Sequence, residues 1–289
     1  MQHALTPPSP STWRNLVEWA LAEDIGPGDV TSNLVIAADA KGRARIEARQ
    51  DMVACGMFVV AEVFRQVDPT LGIQILCDEG ESVRRGSPLS IVEGSTRGIL
   101  AGERTALNFL GRLCGIATLT QRHVEVVRGT RCQIVDTRKT LPGWRALDKF
   151  AVLAGGGTNH RFALFDGILL KDNHVAAAGG VEAAVRRALA AAPAGLRVQV
   201  EVESLADAEI ACAAGADFLL LDNCTPTQVR TIVDRLAERA LLEASGGITL
   251  ANLREFAEAG VHRVSIGGLT HSAPAADVAL EIEDGPGAA

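Results

Sequence analysis

The sequence predicts an α/β protein in two parts, an α/β sandwich over residues 1–112 and a barrel of βα repeats over residues 113–289. Three observations predict this. After Arg131, short runs rich in Val, Ile and Leu alternate with Ala-rich helical stretches, the pattern of parallel strands joined by helical crossovers. Before about residue 112 the texture is irregular, mixing alternating strands with single helices. Finally, nearly every apolar run of the second part ends in charged residues or glycines. In a barrel such ends converge on one mouth, whereas in an open sheet they spread along an edge.

Taken in order, a helix capped by Ser11 or Thr12 runs to Glu23, and the loop EDIGPGDVTS follows. ARIEARQ (44–50) alternates as a half-buried strand, a helix covers 58–66, and GIQIL (72–76) and PLSIV (88–92) give further strands. EGESVRRGSPLSIVEG (79–94) looks like a lipoyl-domain hairpin, but no lysine sits at its turn to carry a prosthetic group. From Thr96 to Arg128 the period becomes helical, and two helices broken near Gly115 are expected. Six strands of the barrel can be read: QIVDTR (133–138), GILLKD (167–172), RVQVEVES (197–204), FLLLDN (218–223), LLEASGG (241–247) and RVSIGG (263–268). VEAAVRRALAAA (181–192) is a crossover helix stopped by PAG.

At 289 residues with 47% hydrophobic content, the chain buries a sizeable core. Its net charge of −7 and pI near 5.4 argue against nucleic acid as a partner. Six cysteines are scattered without a CxxC pair, as expected of reduced thiols in a cytoplasmic protein. The N-terminus lacks the layout of a signal peptide, and no apolar run approaches the ~20 residues of a membrane helix.

Against this acidic background, residues 136–174 gather Arg138, Lys139, Arg145, Lys149, Arg161 and Lys171 with His160 and His174. The chain has four lysines, and three of them lie here. Arginine pairs bidentately with carboxylates and phosphates while lysine acts as a point charge, so a small polyanion is the expected ligand. Lys149 and Arg145 fall on a helix and read as surface residues. GGGTNHR (155–161) reads as a flexible connection able to lay backbone against a ligand.

The loops Ser245–Gly246–Gly247 and Ile266–Gly267–Gly268 each end a strand and precede a helical segment, as phosphate loops do after the last two strands of phosphate-binding barrels. His271, just beyond, joins that region. In VQVEVES the valines face the helices, which turns Gln199, Glu201 and Glu203 into the lumen. Buried carboxylates need cations, and Glu201 with Asp222 suits a hard divalent ion such as Mg²⁺. His3, His123 and His262 have no informative partners.

These same residues, DTRKTLPG (136–143), GGGTNHR (155–161), LLKDNH (169–174), VEVES (200–204), LLLDN (219–223), EASGGI (243–248) and GLTHS (268–272), resemble the quinolinate phosphoribosyltransferases. The resemblance runs from EDIGPGDVTS to the final helix. It implies an N-terminal α/β sandwich followed by an incomplete, seven-stranded, TIM-like α/β barrel. It implies a decarboxylating transfer in which quinolinate and phosphoribosyl pyrophosphate, with Mg²⁺, give nicotinate mononucleotide, pyrophosphate and carbon dioxide. It also implies a homodimer, or a larger oligomer of dimers, with shared sites. By motif, Arg138, His160, Arg161 and Lys171 would hold the two carboxylates, with Thr137 and Lys139 beside them, and Arg104 would reach in from the other subunit. Glu201 and Asp222 would serve the Mg²⁺-pyrophosphate and ribose side, with Lys139 and Lys171 also catalytic. Ser245, Gly246, Gly247, Gly267, Gly268 and His271 would surround the 5′-phosphate. Two positions depart from the family pattern: Trp144, where a smaller aliphatic residue is expected, and Gly268, where alanine is common.

Three other readings compete. A Schiff-base lyase would use Lys171 as nucleophile. A phosphosugar-binding barrel would not need the paired acids. Within the same fold, a salvage-type nicotinate enzyme or a molybdenum-transport-associated homologue would need a different cation count.

Overall fold

The computed structural model describes residues 5–283, so His3 lies outside it. A 3-10 turn at Pro10–Thr12 leads into α1 (Arg14–Ile25) and α2 (Val30–Val35), where the Asp29 carboxylate caps the helix by accepting the Ser32 amide at 3.0 Å. Then come β1 (Lys41–Ala48), β2 (Met52–Val53), α3 (Met57–Val67), β3 (Gly72–Ile75), β4 (Ser82–Val83), β5 (Pro88–Ser95) and α4 (Thr96–Val126). The second half begins with β6 (Gln133–Val135), α5 (Arg145–Ala154), β7 (Ile168–Leu170), α6 (Asp172–Ala178), α7 (Val181–Ala191), β8 (Val198–Val202) and α8 (Leu205–Ala213). It continues with β9 (Phe218–Asp222), α9 (Pro226–Leu236), β10 (Leu241–Ser245), α10 (Leu253–Glu258), β11 (Arg263–Ser265), α11 (Gly268–His271) and β12 (Val278–Glu283).

Two compact units result. One holds the chain up to Gln121, Thr140–Gly156 and the residues from Ser272 onward; the other holds Arg122–Lys139 and Gly157–His271. Residue 112, where the sequence reading divides the chain, lies inside α4.

In the first unit an antiparallel sheet runs β12-β1-β5-β3. Ala44 and Ile46 of β1 and Leu89 and Val92 of β5 are buried, as is Phe64 of α3. The expected break near Gly115 is absent, because α4 is one helix of 31 residues. A Cβ at Gly115 would stand 2.1 Å from the Pro274 carbonyl oxygen, so this glycine serves a close backbone approach and not a bend. The sequence of β12, VALEIE, has the two-residue alternation of a strand. Lys149 is also corrected: it is 2% exposed, because apolar residues on several sides of α5 bury nearly the whole helix. Arg145 is half-buried and donates to the Thr140 hydroxyl at 3.2 Å. The unexpected Trp144 is accommodated by stacking on Phe109, ring centroids 4.7 Å apart.

In the second unit six parallel strands run β6-β11-β10-β9-β8-β7. The seventh position is filled by a single-residue bridge. Thr158 lies against the free edge of β6, donating its amide to the Ile134 carbonyl at 2.8 Å and accepting that of Asp136 at 3.2 Å. Alternate residues of the strands, Leu169, Glu201, Leu220, Asp222, Glu243, Ser245 and Ser265, line one cavity. Thr137–Lys139 after β6 and Lys171 after β7 line it too, so both edges of the sheet curl to the same mouth as an incomplete barrel. All six cysteines are buried and unbridged, and burial pushes the Cys132 thiol up to about 12.

Candidate active site

The cavity has a volume of about 620 Å³ and opens where the strands end. One side is cationic. Thr137, Arg138 and Lys139 follow β6, His160 and Arg161 follow the Thr158 bridge, and Lys171 follows β7. Ser245, Gly246 and Gly247 after β10, and Gly267, Gly268 and His271 after β11, make a second side, which meets the first at Lys139. Glu201 and Asp222 lie between, on β8 and β9. Every site residue expected from the second unit therefore lines one cavity. Arg104 belongs to the first unit, exposed on α4.

The connection through His160 is pinned and not flexible as its glycines suggested. The His160 amide donates to the Asp136 carboxylate at 2.8 Å, and the Arg161 amide donates to His160 Nδ1 at 2.8 Å. With Nδ1 accepting, Nε2 carries the proton and donates to Gln199 Oε1 at 2.9 Å. The Arg161 guanidinium donates to the Gly167 carbonyl at 2.9 Å. Burial, and then the neighbouring Arg138 charge, pull Arg161 below the ordinary guanidinium range. Two partly desolvated guanidiniums held close together are relieved by an anion placed between them.

Lys171 Nζ lies 3.8 Å from Glu201 Oε2. Burial raises the Glu201 carboxyl; Lys171 opposes this, while Asp222, Asp172 and Glu203 add to it. Glu203 itself is exposed and outside the lumen, because β8 ends at Val202 and the alternation stops there. Among the described residues no three His, Cys, Asp or Glu side chains come close enough to hold a metal ion by themselves.

The two loops use glycine for different reasons. Gly246 (φ +93°) and Gly247 (φ +62°) occupy backbone conformations that L side chains rarely adopt. A Cβ at Gly267 would crowd the Lys139 chain at 3.0 Å and the His271 ring at 3.2 Å, and the Thr270 hydroxyl locks this corner by donating to the Lys139 carbonyl at 2.8 Å. Gly268 is different. Its Cβ would meet only Ile266 Cγ2, at 3.9 Å, so the alanine common in the family fits. The helices that follow have six and four residues, so they lend these loops little of a helix dipole.

The cavity also holds residues that the sequence reading passed over, notably Glu243, Asn223 and Ser265. Glu243 was hidden in LLEASGG, where the glycines drew attention. The alternation that placed Glu201 inward in VQVEV would have placed it too. His123 is buried, and His262 Nδ1 accepts the Leu242 amide at 3.0 Å, so both are structural.

Residues 29–114 match the description "Quinolinate phosphoribosyl transferase, N-terminal domain", and residues 116–281 match the corresponding C-terminal domain. The chain is 41% identical over 275 residues to the nicotinate-nucleotide pyrophosphorylase [carboxylating] of Mycobacterium leprae, covering 93% of this chain and 96% of that protein. It is 38% identical over 269 residues to the probable nicotinate-nucleotide pyrophosphorylase [carboxylating] of Bacillus subtilis, covering 93% of each. Among solved structures, NadC from Streptococcus pyogenes superimposes with a TM-score of 0.91 at 38% identity, over 96% of this chain and all of that one. On the motifs, the cavity and these likenesses together, the chain belongs to the quinolinate phosphoribosyltransferase family.

Proposed function

We infer that the chain transfers the phosphoribosyl group of phosphoribosyl pyrophosphate to the ring nitrogen of quinolinate, yielding nicotinate mononucleotide, pyrophosphate and carbon dioxide. The observation that carries this is the make-up of one cavity: guanidiniums and lysines along one wall, glycine loops that begin beside Lys139, and carboxylates that reach Lys171. Arg138 and Arg161 suit the two ring carboxylates, with Thr137, Lys139 and Lys171 beside them. Gly246, Gly247, Gly267 and Gly268, with Ser245 and His271, suit the 5′-phosphate. As the anomeric C–O bond breaks, positive charge builds on the ribose, and Glu201 and Asp222 are placed to stabilise it. His160, whose ring nitrogens already serve Arg161 and Gln199, supports the arginine more than it meets the substrate.

Mg²⁺ fits as a companion of the pyrophosphate. Glu201 and Asp222 repel one another in a half-buried setting that a cation relieves, and the missing ligands would come from the substrate. When bound, such an ion neutralises charge on the leaving group. A homodimer in which Arg104 serves the neighbouring subunit's site is part of the same reading. So is a cytoplasmic location, consistent with the absence, among the described residues, of a helix long and apolar enough to cross a membrane. Lys171, half exposed and facing Glu201, is not the dry and uncompensated amine that Schiff-base chemistry needs.

The test is turnover of quinolinate with phosphoribosyl pyrophosphate and Mg²⁺, compared with nicotinate in the same mixture. Quinolinate is expected to react and nicotinate to fail. Turnover of nicotinate alone would replace this reading with a salvage-type activity.

A further inference from the structure

Glu243 is a cavity carboxylate to which the reaction as described assigns no work. Its side chain is fully buried, it lines the cavity, and neither oxygen accepts a hydrogen bond from a described residue. Its ion-pair neighbour is His160, with Nε2 3.6 Å from Glu243 Oε1, too long for a hydrogen bond. A carboxylate in such a place costs several kcal/mol unless a positive charge meets it.

His160 does not supply that charge. Its Nδ1 accepts the Arg161 amide at 2.8 Å and its Nε2 faces Gln199 Oε1 at 2.9 Å, the arrangement of a neutral imidazole. Glu243 stands two residues before Ser245 on β10, deeper than the glycine loop and beside the foot of the Arg161 segment. It therefore lies on the cavity floor, below Ser245 and turned toward His160 of the cationic side.

We propose that Glu243 is the electrostatic floor of the pyridine subsite, placed to favour the ring once its nitrogen carries a positive charge. The inference rests on the reaction proposed above. In its first step the ring-nitrogen lone pair forms the C–N bond to the anomeric carbon, while the C–O bond breaks and its electron pair leaves with pyrophosphate. The ring passes from a dianion to a pyridinium bearing the same two carboxylates, a gain of one positive charge. A fixed negative floor opposes the dianion and welcomes the pyridinium, so its interaction is stronger in the transition state than in the ground state. Inside a cavity shielded from water this difference is larger than it would be in solution. The arginines hold the substrate by its carboxylates, and Glu243 discriminates the charge of its ring.

The experiment pairs kinetics with binding. The unaltered protein, E243Q and E243D are compared by equilibrium dialysis with nicotinate and N-methylnicotinate, which share a carboxylate and differ by a fixed positive charge on the ring. In E243Q the preference for N-methylnicotinate over nicotinate is expected to fall about tenfold, while E243D, which keeps the charge, retains it. With quinolinate, E243Q is expected to lose kcat by about ten- to a hundredfold, with KM unchanged or lower. An unchanged binding ratio in E243Q overturns the proposal, as does an equal loss of both ligands with a lowered Tm, which marks a structural role. If E243Q does not fold, E243D decides alone: loss of the ratio despite the retained charge overturns it. Failure of the unaltered protein to turn over quinolinate would remove the reaction instead, and the dialysis ratio is read independently of turnover.

Discussion

Gly246 turns where the Asn223 side chain already fills the space: a Cβ there would stand 2.3 Å from Asn223 Oδ1. Asn223 is itself fixed, at φ +52°, by donating its amide to the Ser245 carbonyl at 3.0 Å. The ends of β9 and β10 thus lock together to shape the loop proposed to hold the 5′-phosphate. Gly246→Ala adds both strain and a clash, each on the order of 1–3 kcal/mol. The KM for phosphoribosyl pyrophosphate is expected to rise at least about tenfold, with a smaller effect on quinolinate. Gly268→Ala is the control and is expected to leave kinetics unchanged, since its Cβ makes only an ordinary contact with Ile266 Cγ2 at 3.9 Å. Steady-state kinetics of the two variants checks the contrast.

Arg138→Ala and Arg161→Ala should raise the quinolinate KM far more than that of phosphoribosyl pyrophosphate. A hydrogen bond to a charged partner contributes roughly 1.5–3 kcal/mol, or about ten- to a hundredfold. Equal changes in both KM values would remove the two arginines from the carboxylate side.

Arg112 donates twice to Asp148, at 3.0 and 2.7 Å, and its guanidinium lies 5.4 Å from the Trp144 ring. Asp148 is fully buried. Asp148→Ala leaves the half-buried guanidinium without its carboxylate, and a loss of about 3–5 kcal/mol is expected in urea unfolding. An effect below about 1 kcal/mol would show that the pair is replaceable.

Glu62 is buried on α3 and contacts Arg65 at 2.6 Å and Arg14 at 2.9 Å. Hydrogen bonding from Arg65, against some cost of burial and helped by Gln66, holds its carboxyl below the ordinary range. Its folded pKa lies below the unfolded one. The stability it contributes is therefore present above about pH 4.3 and is lost as pH falls through the folded value. Glu62→Gln should lower stability at pH 7 and flatten the acid limb of a stability–pH curve; a parallel downward shift at every pH would refute the linkage.

Arg104→Ala mixed with an Arg138→Ala chain should regain partial activity if Arg104 serves the neighbouring subunit. Activity no greater than the sum of the separate variants would place each site within a single chain.

Much of this was legible before any coordinates. Short apolar runs marked all six strands of the second unit's sheet, and their polar ends marked the mouth. What escaped depended on contacts between distant residues. Gly115 looks like a helix break until Pro274, 159 residues later, is seen to need the space. Lys149 looks like a surface lysine because the charged residues of RALDKFAVLA do not reveal that nearly the whole helix is covered. The seventh barrel position is a single bridge at Thr158, too short to leave any period in the sequence.

The pairing of β12 with β1 has a consequence for biosynthesis. Arg43 lies opposite Glu283 in that ladder, and Arg45 reaches Glu283 at 3.3 Å. During translation β1 emerges before all six parallel strands, yet its partner β12 emerges after them. Until then one edge of β1 offers unpaired amides and carbonyls to any neighbour. Truncating the chain before Val278 should leave that edge open on the ribosome and on the released product alike. A strand made before the six parallel strands thus waits for one made after them, and aggregation of nascent chains is most to be expected there.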